Sequence, residues 1–148
     1  MTTGWNGPNF SGAKIVLLSD GRLIAYQRDM KPDIPFPGMW DLPGGAREGG
    51  EAPADCAIRE TQEEFGLAVD VGSVVWTRSY PGRTPESPVS YFLVAEMKNE
   101  GFDDVAFGDE GQQWAVMTLH EFLDHPEVVS HLKHRLREYL AWREDIPA

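Results

Sequence analysis

Short apolar-rich runs at residues 13–18 and 22–28 predict two β-strands, and Asp20-Gly21 between them is a strong hairpin signal. Residues 29–38 carry Pro32, Pro35 and Pro37 in close succession and read as a stiff loop. Trp40-Asp41-Leu42 is a short extended piece that ends at Pro43-Gly44-Gly45. A helix follows, with Pro53 suited to its first turn and Gly66 to its C-terminal stop. Ala54, Ile58, Thr61 and Phe65 recur along it at helical spacing, a stripe expected to face the core. At ~100° per residue, Glu60, Glu63 and Glu64 are expected opposite that stripe, so that packing and polar chemistry fall on different faces.

Residues 69–80 and 89–97 predict two more strands, separated by the turn-rich stretch 81–88. The acidic, glycine-bearing segment 99–111 reads as a loop, and 113–117 as a short strand. Thr118 with Glu121 is a capping-box signature for a short helix. Residues 126–142 predict a second amphipathic helix, with Val129, Leu132, Leu136, Tyr139 and Leu140 facing inward. Strands precede, interrupt and follow helices, so the class is α/β or α+β with a mixed sheet.

Length and composition narrow the picture. The chain has 148 residues, which fits one domain over 1–148, with residues 1–9 expected to be loosely ordered. No apolar run approaches the ~20 residues of a membrane helix, so no membrane association is expected. The N-terminus has no basic segment followed by an apolar stretch, hence no secretory signal is expected. The one cysteine, Cys56, excludes an internal disulfide and suits a reducing cytoplasm. Net charge is −11, which argues against a nucleic-acid polymer as partner. The same charge would repel a polyphosphate unless cations or local arginines intervened.

Glu60, Glu63 and Glu64 sit at i, i+3 and i+4 and share one face of their helix. They crowd like charges into its last turn, beside the negative end of the helix dipole, where each carboxylate is disfavoured by ~0.3–1 kcal/mol. Spacing alone suits a solvated surface better than a site. A bound divalent cation would turn that repulsion into ligation.

The stretch from Gly45 to Leu67 resembles the Nudix box, G-x5-E-x7-R-E-U-x-E-E-x-G-U, with U a bulky aliphatic residue. Gly45, Glu51, Arg59-Glu60, Glu63-Glu64, Gly66 and Leu67 fall in register, and Leu42-Pro43-Gly44 resembles the usual approach to it. Thr61 is the one soft departure, on the packing side. The resemblance implies an α/β/α sandwich with a mixed sheet. It also implies a magnesium- (Mg2+) or manganese- (Mn2+) dependent hydrolase of nucleoside diphosphates linked to a group X. On this likeness Glu60, Glu63 and Glu64 match the metal-binding carboxylates, and the Gly44 carbonyl matches a further ligand. Arg59 matches the arginine that holds a catalytic glutamate, and Glu51 a supporting acid. Glu60, Glu64 and Glu110 are the candidates for general base.

The Gly44-Gly45 pair allows close backbone approach to metal and phosphate. Arg28 is a candidate phosphate contact and Phe36 a candidate for base stacking, whereas Trp40, Trp76 and Trp114 read as core. His131 and His134 lack a third ligand and read as helix surface, and Cys56 as a packing residue. The preferred substrate is a nucleoside triphosphate, including oxidised ones, giving monophosphate and pyrophosphate. Alternatives are an ADP-ribose or other nucleotide-sugar or dinucleotide pyrophosphatase, and a nucleotide-binding regulatory module without catalysis. A prenyl-diphosphate isomerase would want a reactive cysteine outside the box, and no P-loop motif occurs. Homodimer formation, common among similar proteins, is a further expectation.

Overall fold

The computed structural model describes residues 5–97 and 102–144. Strand β1 (Phe10–Leu18) and β2 (Arg22–Gln27) are followed by two short strands, β3 (Trp40–Asp41) and β4 (Gly44–Ala46). Helix α1 (Pro53–Phe65) leads to β5 (Val74–Tyr80), β6 (Val89–Glu96) and β7 (Gln113–Thr118), then α2 (Leu119–Asp124) and α3 (Ser130–Glu144). The strands form a four-stranded sheet, β4-β1-β6-β5, and a three-stranded sheet, β3-β2-β7. β1 and β6 run parallel, with Ile15 opposite Leu93, while β4 and β5 are antiparallel to their neighbours, so this sheet is mixed.

A parallel pair must be covered on both faces, which is why the second half of β1, Ile15 to Leu18, is an unbroken aliphatic run. Its alternate residues feed two cores. Ala13, Ile15 and Leu17 join Cys56, Ala57 and Phe65 of α1. Val16 and Leu18 join Phe122 of α2 and Leu132, Leu136 and Tyr139 of α3. Helices on both sides of the strands make the α/β/α sandwich that the sequence implies. No helix among the described residues is long and apolar enough to cross a membrane.

Several expectations are corrected in detail. Asp20 and Gly21 do make a tight turn, with φ of 55° and 73°, and Ser19 and Arg22 exchange two backbone hydrogen bonds across it. Pairing then stops, because β1 and β2 diverge into different sheets. The strand expected from residue 69 starts at Val74, since the Asp70 carboxylate accepts from Gly72 N and starts a 3-10 turn over Val71–Ser73. The second long helix starts at Ser130, later than residue 126. Trp40 N donates to Glu127 O and Val129 N to Trp40 O, so 127–129 are held extended against β3. The capping box at Thr118 and Glu121 is present in full. Trp5 is half-buried against Phe10 and Tyr91, so that part of 1–9 is packed, and residues 1–4 lie outside the described residues. Within the expected loop 99–111, residues 102–111 hold no helix or strand, and 99–101 lie outside the described residues.

The buried side of α1 is rotated from the expected stripe. Cys56, Ala57, Thr61, Glu64 and Phe65 are buried, while Ala54 and Ile58 are half-buried. Packing and carboxylate faces therefore overlap at Glu64, which is only 8% exposed.

Candidate active site

Arg59 organises the acidic face of α1. Its Nε donates to Glu51 Oε2 at 2.7 Å and its Nη2 to Glu51 Oε1 at 3.1 Å, a two-pronged grip that suits the planar guanidinium. Nη2 also donates to Ala46 O at 2.9 Å, and Nη1 reaches Glu60 and Glu63 at 3.2–3.3 Å. Glu51 sits in the loop before α1, where it also accepts from Glu48 N. Its hydrogen bond from Arg59 holds the Glu51 carboxyl below the usual carboxylate range.

The three glutamates differ in environment. Glu63 is exposed and rests on Arg59. Glu60 is half-buried, and its carboxylate lies so close to Gly45 that a Cβ there would be 2.7 Å away. Burial, with Glu63 nearby, pushes the Glu60 carboxyl upward. Glu64 accepts a hydrogen bond from Gly44 N at 3.2 Å, and burial pushes its carboxyl up to about 8. Gly44 itself has φ of 132°, and a Cβ on it would stand 2.1 Å from Ala13 O. A side chain at that position is excluded by both backbone conformation and space.

Glu60, Glu63 and Glu64 border a cavity of about 90 Å³ whose far wall is Gly108, Asp109 and Glu110. The loop that carries Glu110 is pinned to the end of α1, with Ala106 N donating to Phe65 O and Gly108 N to Glu64 O. Glu110 also borders a neighbouring cavity of about 250 Å³, walled by Tyr26, Arg28, Asp29 and Lys31. Arg28, at the end of β2, donates from Nη1 to Asp41 at 2.8 Å and from Nε to Pro35 O at 2.8 Å. Phe36 adopts φ of 53° and packs against His131, with ring centroids 5.7 Å apart. It lines neither of these two cavities. Trp40 is buried, and Trp76 and Trp114 pack against the cores, as expected. Burial pushes the Cys56 thiol up to about 11, which makes it a packing residue and a poor nucleophile.

A polar cluster beside the glycines was not visible in the sequence reading. Asp41 is 4% exposed, and its Oδ2 meets Lys14 Nζ at 3.0 Å, Arg28 Nη1 at 2.8 Å and Tyr26 OH at 3.5 Å. Its Oδ1 accepts from Leu42 N at 2.7 Å. Burial opposes the charge on Asp41, yet Lys14 and these hydrogen bonds hold its carboxyl below the usual range. Lys14 Nζ also donates to Gly44 O at 3.4 Å. The signal that could have found it is a lysine inside an otherwise apolar β-run, which demands an acidic partner.

The Glu60, Glu63 and Glu64 carboxylates that border the cavity are hard oxygen donors of the kind that suits a divalent cation, while the Gly44 carbonyl accepts from Lys14 Nζ at 3.4 Å. Among the described residues no three acidic, histidine or cysteine side chains are grouped as they would be around a metal ion. Arg59 draws on Glu60 and Glu63, and Gly44 N draws on Glu64. Magnesium retains several waters and takes few protein ligands, so an open arrangement suits it.

A model of the NUDIX domain matches residues 9–139. The chain belongs to the NUDIX domain family. The 8-oxo-dGTP diphosphatase of Proteus vulgaris is 38% identical over 88 residues, 60% of this chain and 77% of that protein. The ADP-ribose pyrophosphatase of Methanocaldococcus jannaschii is 25% identical over 133 residues, 86% of this chain and 71% of that protein. Among solved structures, a MutT protein of Methanosarcina mazei superposes with a TM-score of 0.70 at 17% identity, covering 95% of this chain and 99% of that one. The enzyme class is that of a Nudix hydrolase, and such enzymes generally use divalent metals and small nucleotide substrates.

Proposed function

We propose that this chain is a magnesium-dependent pyrophosphohydrolase of nucleoside diphosphates linked to a group X. Nucleoside triphosphates, oxidised ones included, are the preferred substrates, and monophosphate and pyrophosphate the products. The observation that carries this reading is the cavity where Glu60, Glu63 and Glu64 face Glu110 beside the Gly44-Gly45 backbone. The likeness to the Proteus vulgaris 8-oxo-dGTP diphosphatase supports the substrate preference.

Glu60, Glu63, Glu64 and the Gly44 carbonyl would hold magnesium, or manganese in its place. When bound, the ion neutralises diphosphate oxygens and lowers the pKa of an attacking water. Arg59 fixes Glu60 and Glu63 in place, and Glu51 fixes Arg59. Arg28 and Lys31 bring positive charge to the cavity that Asp29 and Glu110 also line. Glu60, Glu64 or Glu110 accepts the proton of the water.

A second reading, an ADP-ribose pyrophosphatase, is favoured by the longer match to the Methanocaldococcus jannaschii protein. A panel of nucleoside triphosphates, 8-oxo-dGTP and ADP-ribose with magnesium separates the two by product. Pyrophosphate release from triphosphates supports the first, and AMP from ADP-ribose supports the second. Absence of turnover on the whole panel, with binding retained, would point to a regulatory module. Glu63→Gln is the companion variant. Its site is exposed, so the fold should survive while turnover falls ~100-fold or more. Undiminished turnover in this variant rejects the metal assignment.

A further inference from the structure

β4 and β5 form the edges of one sheet, β3 and β7 those of the other. β3 and β4 span only two and three residues. β5 is guarded against further pairing, by a register shift between Val74 and Trp76 and by the exposed Arg78. β7 carries neither device. Gln113-Trp114-Ala115-Val116-Met117-Thr118 holds no charge and no proline, and all six residues pair with β2 in unbroken register.

The phase of the ladder decides which backbone groups of β7 face outward. Leu119 N donates to Gly21 O, and bonded pairs alternate along an antiparallel ladder, so Met117, Ala115 and Gln113 also bond to β2. Trp114, Val116 and Thr118 turn their N–H and C=O away from β2. Thr118 N donates to Glu121 Oε1 at 2.8 Å. The outward groups of Trp114 and Val116 meet no backbone partner among the described residues. Val116 is 40% exposed, and Trp114, two residues away on the same face, is half-buried.

We propose that this edge pairs antiparallel with β7 of a second copy of the chain, on a two-fold axis at Ala115. The strand is complementary to itself in this register. Trp114 exchanges both backbone hydrogen bonds with Val116 of the partner subunit, and the symmetry repeats the exchange, which uses every outward group of both residues. Each Trp114 then lies opposite the partner's Val116, an aromatic and β-branched pair of the kind that stabilises sheets. Ala115 faces its own counterpart as a non-hydrogen-bonded pair, where backbones come closest and a small side chain suits. The strand sets no charges opposite each other, so two copies of net charge −11 can meet there without like-charge contact. One strand pair is a small interface, so the dimer dissociates on dilution.

The test is sedimentation of the full chain over a concentration series, beside two variants at Val116. Val116→Pro deletes an outward N–H and leaves the ladder to β2 intact, as proline does on edge strands. Val116→Lys sets a charge on the edge, and it decides the question if thermal unfolding shows the proline variant to be misfolded. A reversible dimer whose dissociation constant rises about ten-fold or more in a folded variant supports the assignment. Mild oxidation then checks the register, because the paired backbones at Ala115 come within the ~4.4–6.8 Å that a disulfide spans. Ala115→Cys should give a covalent dimer, and Gln113→Cys, which faces the partner's Met117, should not. The native thiol, Cys56, is buried and should stay unlinked in both. A monomer at every concentration, or a dimer that both variants leave within about two-fold, overturns the proposal. An Ala115→Cys chain that cross-links no faster than Gln113→Cys overturns it as well.

Discussion

Glu64 accepts the backbone N–H of Gly44 at 3.2 Å, so the last glutamate of α1 is clamped to the strand that faces it. The contact is buried, and burial holds the carboxyl up to about 8, far above the ordinary glutamate value of 4.5. A carboxyl proposed as a metal ligand is thus kept protonated by burial until a cation or a higher pH removes the proton.

Glu64 predicts a pH slope of stability in the metal-free protein. Below the unfolded pKa, both states are protonated and the contribution to stability is complete. Above it, the unfolded chain releases the proton while the folded chain retains it. Stability is therefore lost as pH rises from about 4.5 through about 8. Thermal unfolding in chelator should give a falling Tm across this window, with a shallower fall in Glu64→Gln. Magnesium added at pH 8 should restore Tm in the wild type and do so far less in the variant. Equal slopes in both proteins would sink the assignment.

Arg59 predicts a result that charge alone would not give. Its fork grips both oxygens of Glu51 while another prong reaches Glu60 and Glu63. Arg59→Lys keeps the charge and loses the fork. It should cost on the order of 1–3 kcal/mol in stability and lower kcat about 10–100-fold. Denaturant unfolding and steady-state kinetics check the two numbers. Full rescue by lysine would show that only the charge matters.

Asp41 predicts a strong stability effect away from the carboxylate cavity. It is the shared partner of Lys14 and Arg28, and it is nearly inaccessible to water. Asp41→Asn leaves two cations without their counter-charge, a loss of about 3 kcal/mol. Adding Lys14→Met should recover part of that loss, because one stranded charge is then removed. Urea unfolding of the four proteins in the cycle measures the coupling, and purely additive losses would exclude it.

This cluster also marks where sequence reading stopped. The helix with Arg59, Glu60, Glu63 and Glu64 was legible because fixed spacing on one helix specifies which side chains meet. The strands were legible from their apolar runs. Lys14 and Asp41 were not paired, because their contact depends on β1 and β3 being brought together across different sheets, a fact of topology. The same holds for the divergence after Asp20-Gly21, where a local turn rule was obeyed and the pairing it usually announces was not. Glu64 was expected on the open side of α1. Helical spacing fixes relative angles along the helix, and the loop at Ala106 and Gly108, which covers its last turn, was not foreseeable from them.

The adjacent glycines predict opposite outcomes for one added methyl group. At Gly44 the methyl would meet the Ala13 carbonyl at 2.1 Å on a backbone of φ 132°, so Gly44→Ala should unfold the β1–β4 pairing. At Gly45 the nearest atoms are those of the Glu60 carboxylate, from 2.7 Å, the free end of a flexible side chain. That carboxylate can swing away, and the strand can accept alanine. Gly45→Ala should therefore unfold within about 1 kcal/mol of the wild type, while its magnesium affinity falls about 10–100-fold. Calorimetric titration of magnesium into each folded protein, beside its thermal unfolding curve, separates the two effects. Wild-type magnesium affinity in Gly45→Ala would mean that Glu60 does not need its position against β4, and its role as a ligand would fall with that result.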